Sequence, residues 1–409
     1  MKFQRIRGTR DILPDEYAVR EDLLQRARKI LRAYGYRFIQ TPTFEPTELF
    51  VRSVGETTDI VEKEMYTFQD RGGRSLTLRA EGTAPVIRAF LENQLPSPIK
   101  LAYYVPIFRA ERPQKGRLRE HYQLGVEAIG ERAPLLDAEV IRMLLEILQA
   151  FGLKEWRLEI NSIGSPEDRR RYREALLRYL EPRRQDLCAD CQRRMDRNPL
   201  RVLDCKVDGP RLTDAPRFQD YLGDESRRFF EELLAILDRW NIAYTVNPRL
   251  VRGLDYYTDT VFEVKVPGLG AQDTVAGGGR YDRLVEELGG PPTPAVGFGM
   301  GMERVLLALG EPRKEEPLDY FVAYTSEATR DAAVDLVFAL RRQGYAVDFS
   351  HEFKKLRAQM KRANRLKARK TVIVGDDELA RGVVRVRDME TGSEEEVPLH
   401  RLQNPETSA

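Results

Sequence analysis

The residues best suited to chemistry lie in the stretch LVRGLDYYTDTVFEV, residues 250–264. Arg252 is followed by a glycine, so a guanidinium is presented where the backbone can approach a ligand closely. Tyr256 and Tyr257 lead into a strand-like run, and GGGRYD, expected to form a glycine turn, follows at 277–282. This combination suits a pocket for a small polar molecule with a negative group, although an ordinary polar strand end would carry the same residues.

A second polar surface is expected on a strand at residues 121–129. Because side chains of a strand alternate between two faces, His121, Gln123, Gly125 and Glu127 share one face. The opposite face carries Tyr, Leu, Val and Ala, and belongs against packed structure. A polar face with a glycine gap is unusual for a central strand, and we interpret it as the floor of a ligand site.

Further polar groups are predicted where a strand at residues 75–79 passes into a helix. Glu81 and Thr83 stand at this junction, where side chains and free helix amides both point at solvent or ligand. Together with Gln123 and Glu127, they would suit an ammonium group and a neutral ring that donates a hydrogen bond.

Arginines recur at the expected strand ends, in the charged loop at 110–120 and at the start of a helix: Arg109, Arg117, Arg119, Arg252 and Arg304. Isolated arginines usually form surface ion pairs of little energetic consequence. Several that converge on one floor would instead bind phosphate oxygens bidentately and neutralise charge that develops in nucleotidyl transfer. The inventory therefore predicts an amino acid bound beside a nucleoside triphosphate.

A sheet that is interrupted in sequence must position these residues, and the expected fold class is α+β. Its first part, residues 1–163, has predicted helices at 14–34 and 137–151 and predicted strands at 37–40, 75–79, 100–108, 121–129 and 156–161. Arginine-rich helical segments then predict a helical insertion at 164–241, and the sheet resumes in a second part at 242–312. The glycines at 297, 299 and 301 do not match the GxGxxG of dinucleotide folds.

The composition changes at GEPRKEEP, residues 310–317, which predicts a linker. Strands and helices alternate beyond it, so residues 317–409 are expected to form a separate small α/β domain with a mixed sheet. Its second helix lies within residues 354–370, which hold nine Lys or Arg and no acid beside an apolar stripe of Leu356, Met360 and Ala363. Such a helix would dock by one face and offer cations to a phosphate backbone, with a merely solvated basic face as the alternative.

Composition limits the remaining options. The formal net charge is only +2 over 409 residues, no apolar run approaches the ~20 residues that span a bilayer, and MKFQRIRGTRD has no apolar signal core. We therefore expect a cytoplasmic protein without a membrane segment. Three cysteines suit a reducing compartment. Cys188 and Cys191 form a C-x-x-C, but zinc usually needs a fourth ligand and no histidine is near, so reduced structural thiols are favoured and no metal site is predicted.

Long motifs in this chain resemble those of bacterial histidyl-tRNA synthetases, which are class II aminoacyl-tRNA synthetases. They are RGTRDILP at 7–14, LTLRAEGTAPVIRAF at 76–90, FRAERPQKGRLRE at 108–120, LVRGLDYY at 250–257, GGGRYD, and GMER at 301–304. The resemblance implies an antiparallel sheet with flanking helices, a helical insertion and a C-terminal anticodon-binding domain. It also implies a homodimer with the segment through Pro42 at the interface.

The resemblance further implies that ATP and L-histidine form a histidyl-adenylate, which is passed to tRNA(His), and that Mg²⁺ accompanies ATP. The residues implied for catalysis are Arg252 and Arg109. Those implied for histidine are Glu81, Gly82, Thr83, Gln123, Glu127, Tyr256 and Tyr257, with Glu127 and Tyr257 on the imidazole. Those implied for ATP are Arg109, Arg117, His121 and Arg304. Gln114 would face the tRNA acceptor end, and the anticodon region would meet Lys354, Lys355, Arg357, Lys361, Arg362 and Arg365.

One departure from the family pattern concerns His121, which stands where a phenylalanine usually stacks on adenine. Since imidazole titrates near neutrality, ATP affinity is predicted to vary with pH between about 5.5 and 7.5 through this residue.

Two rival interpretations remain. A synthetase-like regulatory subunit of ATP phosphoribosyltransferase lacks the characteristic arginine and the usual anticodon domain, whereas this chain has Arg252 and a basic C-terminal region. A class II synthetase for another amino acid is disfavoured by LDYY and Glu127, because a buried carboxylate without a partner would penalise apolar substrates.

Overall fold

The chain divides after Arg313 into two units, residues 1–313 and 314–409. The computed structural model describes residues 3–55, 58–203, 205, 207–270 and 273–404. The division falls within the predicted linker. The finer boundaries proposed inside the first unit, at 163/164 and 241/242, stay predictions.

Eleven strands are described in the first unit. They are β1 Arg37–Phe38, β2 Phe44–Pro46, β3 Thr67–Gln69, β4 Ser75–Leu78, β5 Ile99–Phe108, β6 Glu120–Ile129, β7 Arg157–Ser162, β8 Thr245–Val246, β9 Thr258–Lys265, β10 Thr274–Arg280 and β11 Ala295–Gly301. Eight form one sheet in the order β1-β5-β6-β11-β10-β9-β7-β8, and β2-β4-β3 form a small antiparallel sheet. The central ladders are antiparallel, and only the edge pairs β1–β5 and β7–β8 are parallel. The predicted α+β class with an antiparallel central sheet is confirmed.

Ten α-helices are described in the same unit. They are α1 Pro14–Ala33, α2 Thr47–Val54, α3 Thr83–Glu92, α4 Pro134–Ala150, α5 Pro166–Leu180, α6 Ala189–Arg197, α7 Leu200–Leu203, α8 Asp224–Arg239, α9 Leu284–Glu287 and α10 Met302–Ala308. A proline at the first turn begins α1, α4 and α5, since its missing N–H needs no partner there. Between residues 164 and 241 the described elements are helical, as predicted.

The two faces of the large sheet are covered differently. Leu124, Val126 and Ala128 of β6 lie in a core with α1, α4, α8 and α10, which confirms the predicted apolar face. The opposite face packs on α3 and the helical segment, and it includes Tyr103 of β5. The polar residues of β6 are on this second face, so the sheet's packing decides where a ligand can enter.

The GGGRYD prediction was wrong in one respect. Gly277 and its two following glycines lie inside β10 and are not part of a turn. A Cβ at Gly278 would collide with the backbone of β11 at residues 297 and 298, and one at Gly277 would collide with the Arg252 guanidinium. The glycines therefore serve close packing between strands and around an arginine.

The second unit has a five-stranded mixed sheet in the order β13-β12-β14-β15-β16, as predicted. Its strands are β12 Tyr320–Tyr324, β13 Val347–Phe349, β14 Lys370–Val374, β15 Val383–Asp388 and β16 Glu394–Pro398. Its helices are α11 Arg330–Arg342, α12 Leu356–Arg365, α13 Asp376–Ala380 and α14 Leu399–Gln403, of which the short α13 and α14 were not predicted.

The basic helix α12 docks by a face that differs from the predicted stripe. Leu356 and Ala363 contact the core as expected, but the fully buried position between them is Gln359 and not Met360. Gln359 donates to the carbonyls of Tyr324 and Lys354, and its oxygen accepts from the Tyr324 amide. A buried amide that satisfies backbone groups replaces the apolar contact that periodicity predicted.

Candidate active site

A cavity of about 450 Å³ opens over β6, β9, β10 and β11. Six residues predicted for the site line it: Arg109, Arg117, His121, Gln123, Arg252 and Arg304. Arg119 does not line it, because its guanidinium turns away to the carbonyls of Arg7 and Glu111. The structure thus brings four of the five predicted arginines into one pocket.

Glycines shape the floor of this pocket. Gly299 on β11 faces Gln123, and a Cβ there would collide with the amide of that side chain. Gly125 on β6 likewise leaves room for the Tyr103 ring. Since any larger residue would displace these side chains, the glycine gap predicted on β6 is a requirement of the site's packing.

Arg252 is the most constrained cation of the pocket. Its Nη1 forms an ion pair with Glu263, whose other oxygen accepts a 3.0 Å hydrogen bond from Thr274. The Nε of Arg252 is buried without a hydrogen-bond partner among the described residues. The ion pair with Glu263 therefore fixes one edge of the guanidinium. Glu263 was not predicted, because its position opposite Gly277 depends on the register of the β9–β10 ladder.

The other arginines are held partly by neutral groups. Arg109 donates from Nε to the Ala80 carbonyl at 2.9 Å, and Arg304 donates to the carbonyls of Gly116 and Thr274 at 2.9 and 2.7 Å. Carbonyls orient a guanidinium without cancelling its charge. Burial, followed by repulsion from Arg117, lowers the pKa of Arg304. Acids also line the pocket, among them Glu111, Glu263 and Asp273. Arg109 and Arg304 are therefore the cations whose hydrogen bonds named above go to carbonyls and whose charge would suit phosphate oxygens.

Arg117 differs because it is shared with acids. It pairs with Glu111 and with Glu64, the latter at 3.2 Å. These carboxylates lie beside the cationic pocket, and Glu111 lines it.

The structure contradicts the pH role predicted for His121. Burial, with repulsion from Arg109 and Arg304, lowers the pKa of His121 to about 3. The imidazole of the ligand-free protein is therefore neutral across the range from pH 5.5 to 7.5, and the predicted titration there is wrong. A neutral ring can still stack on a base.

We accordingly expect the ratio of ATP dissociation constants of wild type and His121→Phe to stay constant from pH 5.5 to 7.5. Isothermal titration with ATP in the absence of histidine measures it. A ratio that drifts by more than about threefold across this range would show that His121 gains or loses a proton there.

Behind the arginine pocket lies a buried cluster centred on Glu127. Its Oε1 accepts from Thr83 Oγ1 at 2.8 Å and from Tyr103 at 3.2 Å, and its Oε2 accepts from Tyr281. Tyr103 and Tyr281 were not predicted. That Glu127 and Tyr257 both bind the substrate imidazole stays a prediction.

The remaining predicted histidine-site residues surround this cluster. Glu81 accepts from the amides of Thr83 and Ala84 at 2.7 and 2.6 Å, so the free amides of the α3 N-terminus hold its carboxylate. Gly82 leaves room for the Tyr103 ring. Tyr256 packs on Tyr281 and on Tyr257, with ring centroids 5.5 and 4.7 Å apart.

Gln123 lies between the two parts of the site. Its Oε1 is buried and accepts no hydrogen bond from the described residues. An acceptor without a partner at this depth is costly unless a ligand donates to it. The prediction that Gln123 meets an ammonium group agrees with this geometry.

Glu127 gives a testable dependence of stability on pH. Burial raises the pKa of Glu127 to about 8, although three hydroxyl donors oppose the shift. Between pH 4.5 and 8 the folded state retains a proton that the unfolded state releases, so this group's contribution to stability falls as the pH rises. From pH 6 to 8 the loss is about 2 kcal/mol.

Glu127→Gln removes that group. From pH 6 to pH 8 the difference in free energy of unfolding between the variant and wild type should therefore shift by about 2 kcal/mol in favour of the variant. Urea unfolding of ligand-free protein measures it. Glu131→Gln, at an exposed position just after the same strand, controls for the loss of one negative charge. Parallel pH profiles for wild type and Glu127→Gln would refute the buried, protonated carboxyl.

Comparison with solved structures identifies the fold. The apo crystal structure of the S. aureus histidyl-tRNA synthetase matches with a TM-score of 0.82 and 40% identity, covering 98% of this chain and 99% of that one. The chain has the fold of a class II aminoacyl-tRNA synthetase.

Sequence comparison identifies the family. The histidyl-tRNA synthetase family model matches residues 8–305, and an anticodon-binding-domain model matches residues 319–404. A histidine–tRNA ligase of Geobacillus sp. (strain WCH70) is 50% identical over 98% of this chain and 97% of its own length. That of Bacillus subtilis (strain 168) is 48% identical over 98% and 97%. The chain belongs to the histidyl-tRNA synthetase family, and the predicted enzyme class is confirmed.

The same findings disfavour the interpretation as a regulatory subunit. Relatives about 50% identical over nearly the full chain are ligases, so the regulatory subunit is less supported. The anticodon-binding domain that the regulatory paralogue lacks is present. No described helix is long and apolar enough to cross a membrane.

Proposed function

We propose that this chain makes histidyl-tRNA(His) in the pocket over β6, β9, β10 and β11, through a histidyl-adenylate. The carboxylate of L-histidine attacks the α-phosphorus of ATP, a new carboxyl–phosphorus bond forms, and the bond to the β-phosphate oxygen breaks to release pyrophosphate. The adenylate then passes its histidyl group to the terminal ribose of the tRNA, releasing AMP. The observation that carries the proposal is the convergence of four arginines beside the buried Glu127 cluster.

The roles proposed for the residues follow from their surroundings. Arg109 would hold the α-phosphate, and Arg117 with Arg304 would hold the terminal phosphates. Arg252, which lines the pocket and is oriented by Glu263, would stabilise the charge that develops as the carboxylate oxygen bonds to phosphorus. This is electrostatic stabilisation of the transition state and requires no proton transfer at that step.

Histidine would be recognised deeper in the site. Glu81, Thr83 and Gln123 would bind its α-amino group, and Glu127 would bind the imidazole with help from Tyr257. We add Tyr103 and Tyr281 as positioning residues, because their hydroxyls hold the two carboxyl oxygens of Glu127.

Histidine-dependent exchange of pyrophosphate into ATP tests this proposal. We expect exchange with L-histidine and none above background with other amino acids, because only an imidazole pairs with the buried carboxyl. Equal exchange with an apolar amino acid, or none with any, would overturn it.

Two regions are proposed to bind tRNA(His). Gln114 is exposed on the loop after β5, at a second cavity of about 660 Å³ that Arg7 also lines, and the charge of Arg7 would suit the phosphates of an acceptor end. In the second unit the anticodon region would meet α12 and the residues before it. Four of the six predicted cations there, Lys355, Arg357, Lys361 and Arg365, are exposed and form no ion pair among the described residues.

The other two predicted cations are already engaged. Lys354 pairs with Glu352 at 3.1 Å and Arg362 with Asp348 at 2.8 Å. We therefore expect Lys361→Glu/Arg365→Glu to lower kcat/KM for tRNA about tenfold or more in aminoacylation while leaving pyrophosphate exchange unchanged. Arg342→Glu/Arg401→Glu, which reverses two exposed cations on α11 and α14, is the matched control. Equal losses in both variants, or a loss of exchange, would contradict a tRNA contact on α12.

We also propose the remaining family features: Mg²⁺ with ATP, a homodimer and a cytoplasmic location. Glu111 lines the pocket with the carboxylate oxygens that Mg²⁺ prefers, and the ion would neutralise phosphate charge there. Near the Pro42 segment, Phe38 and Phe44 are exposed aromatic residues that a partner could cover, and sedimentation velocity would measure the dimer. Free cysteines agree with a reducing compartment.

A further inference from the structure

We propose that Cys188, Cys191, Cys205 and Asp208 form a structural zinc site, which the reaction proposed above does not use. One ligand atom from each residue lies within 4.8 Å of all the others. The cluster lies at the start of α6 and just after α7, and none of its four residues lines the arginine pocket. No histidine is near the cysteines in the sequence, but the structure supplies a fourth ligand, the aspartate three residues after the last cysteine.

The distances agree with a shared metal ion. The sulfurs of Cys188 and Cys205 are 3.9 Å apart, and the Cys205 sulfur is 3.9 Å from Asp208 Oδ2. A tetrahedral zinc with Zn–S bonds of about 2.3 Å places its sulfurs about 3.8 Å apart. Small movements would therefore bring all four atoms to bonding distance of one ion.

The ligand types select zinc among common metals. Three thiolates favour a soft or borderline ion, and a carboxylate completes a tetrahedral set that zinc accepts. Four protein ligands leave no open position, which is typical of a structural site. Cys191, Cys205 and Asp208 are buried, and the Cys188 amide donates to Asp208 Oδ2 at 3.0 Å, which orients the carboxylate.

The metal site would stabilise the segment that contains α6 and α7, which contacts the loop before Tyr256 and Tyr257. Asn198, between α6 and α7, donates to Asp255 at 2.9 Å, and Asp255 precedes the two tyrosines of the loop. Arg194 and Arg201 pair with Asp59 at 3.0 and 3.2 Å. A metal ion at the N-terminus of α6 would keep these side-chain contacts in place without touching the substrates.

Metal analysis of the full chain, purified under reducing conditions without chelator, tests the inference. We expect about one zinc per chain in wild type, and below about a tenth in Cys191→Ser and in Asp208→Asn. Asp190→Asn, which removes an exposed carboxylate between the two cysteines of the C-x-x-C, should keep the full content. Chelation of wild type should lower its melting temperature by about 5 °C or more.

Reconstitution with Co²⁺ gives a readout that does not depend on whether the variants fold. The wild-type chain should show the thiolate-to-cobalt charge-transfer and tetrahedral ligand-field bands, which added Zn²⁺ should abolish. Wild type that holds less than about a tenth of a zinc per chain and gives no such bands with Co²⁺ would overturn the site. Full zinc content in a Cys191→Ser/Asp208→Asn double variant would overturn it equally.

Discussion

Replacing Arg252 by alanine is expected to lower kcat for histidine-dependent pyrophosphate exchange by about 10²–10³-fold, with a smaller change in KM for ATP. The reason is that Arg252 supplies a preorganised donor to charge that develops only in the transition state, and removing one such donor has effects of this size. Arg109, Arg117 and Arg304 remain to bind the phosphates of the ground state. Exchange measured over a matrix of histidine and ATP concentrations separates the two constants.

A control is needed because Arg252→Ala also leaves Glu263 without its ion-pair partner. The double variant Arg252→Ala/Glu263→Gln removes that negative charge. If the arginine acts on the substrates, the double variant stays as inactive as the single one. Recovery of exchange in the double variant to within about tenfold of wild type would mean that Arg252 merely neutralises Glu263.

The parts of the site that follow from strand alternation could be predicted from sequence. The faces of β6 are an example, because period two fixes which side chains share a face once the strand is located. The junction of Glu81 and Thr83 with α3 also follows from local signals, a strand followed by a helix start. Each of these predictions needed only residues close together in the chain.

The partners that cross between distant strands could not be predicted. Tyr281 reaches Glu127 from 154 positions away, and this contact depends on the register of β6, β11 and β10. Glycine patterns were ambiguous for a related reason, since GGG suits a turn as well as a strand that packs against bulky neighbours. The tertiary contacts of Gly277 decided in favour of the strand.

The electrostatic environment of a side chain could also not be predicted from local sequence patterns. The titration predicted for His121 assumed an ordinary imidazole, but burial and two arginines from other elements keep it neutral. The same limit applies to the cysteine cluster, where an aspartate was an unconsidered ligand. The residue type limits which protonation states and ligand roles a side chain can have. The packing of elements that are remote in sequence decides which of them occurs.

The largest loss of stability is expected from Arg280→Met, about 3–5 kcal/mol in the free energy of unfolding. Arg280 and Asp137 are fully buried and ion-paired, which ties β10 to α4 beneath the active site. Arg280 also donates to Asp282 at 2.9 Å and to the Glu131 carbonyl at 3.1 Å. Methionine fills much of the volume but leaves the Asp137 carboxylate in an apolar interior without its cation.

Guanidinium unfolding of the ligand-free chain measures this loss, and the reason for it predicts two further results. Burial already raises the pKa of Asp137 despite Arg280, so without the arginine the loss should be larger at pH 8 than at pH 5, where protonation relieves the carboxylate. Arg280→Met/Asp137→Leu should then be more stable than Arg280→Met alone, because no isolated charge remains. Arg283→Met, an exposed arginine nearby, should change stability by less than about 0.5 kcal/mol. If the double variant were less stable than the single one, the cost would arise from lost packing and not from an uncompensated charge.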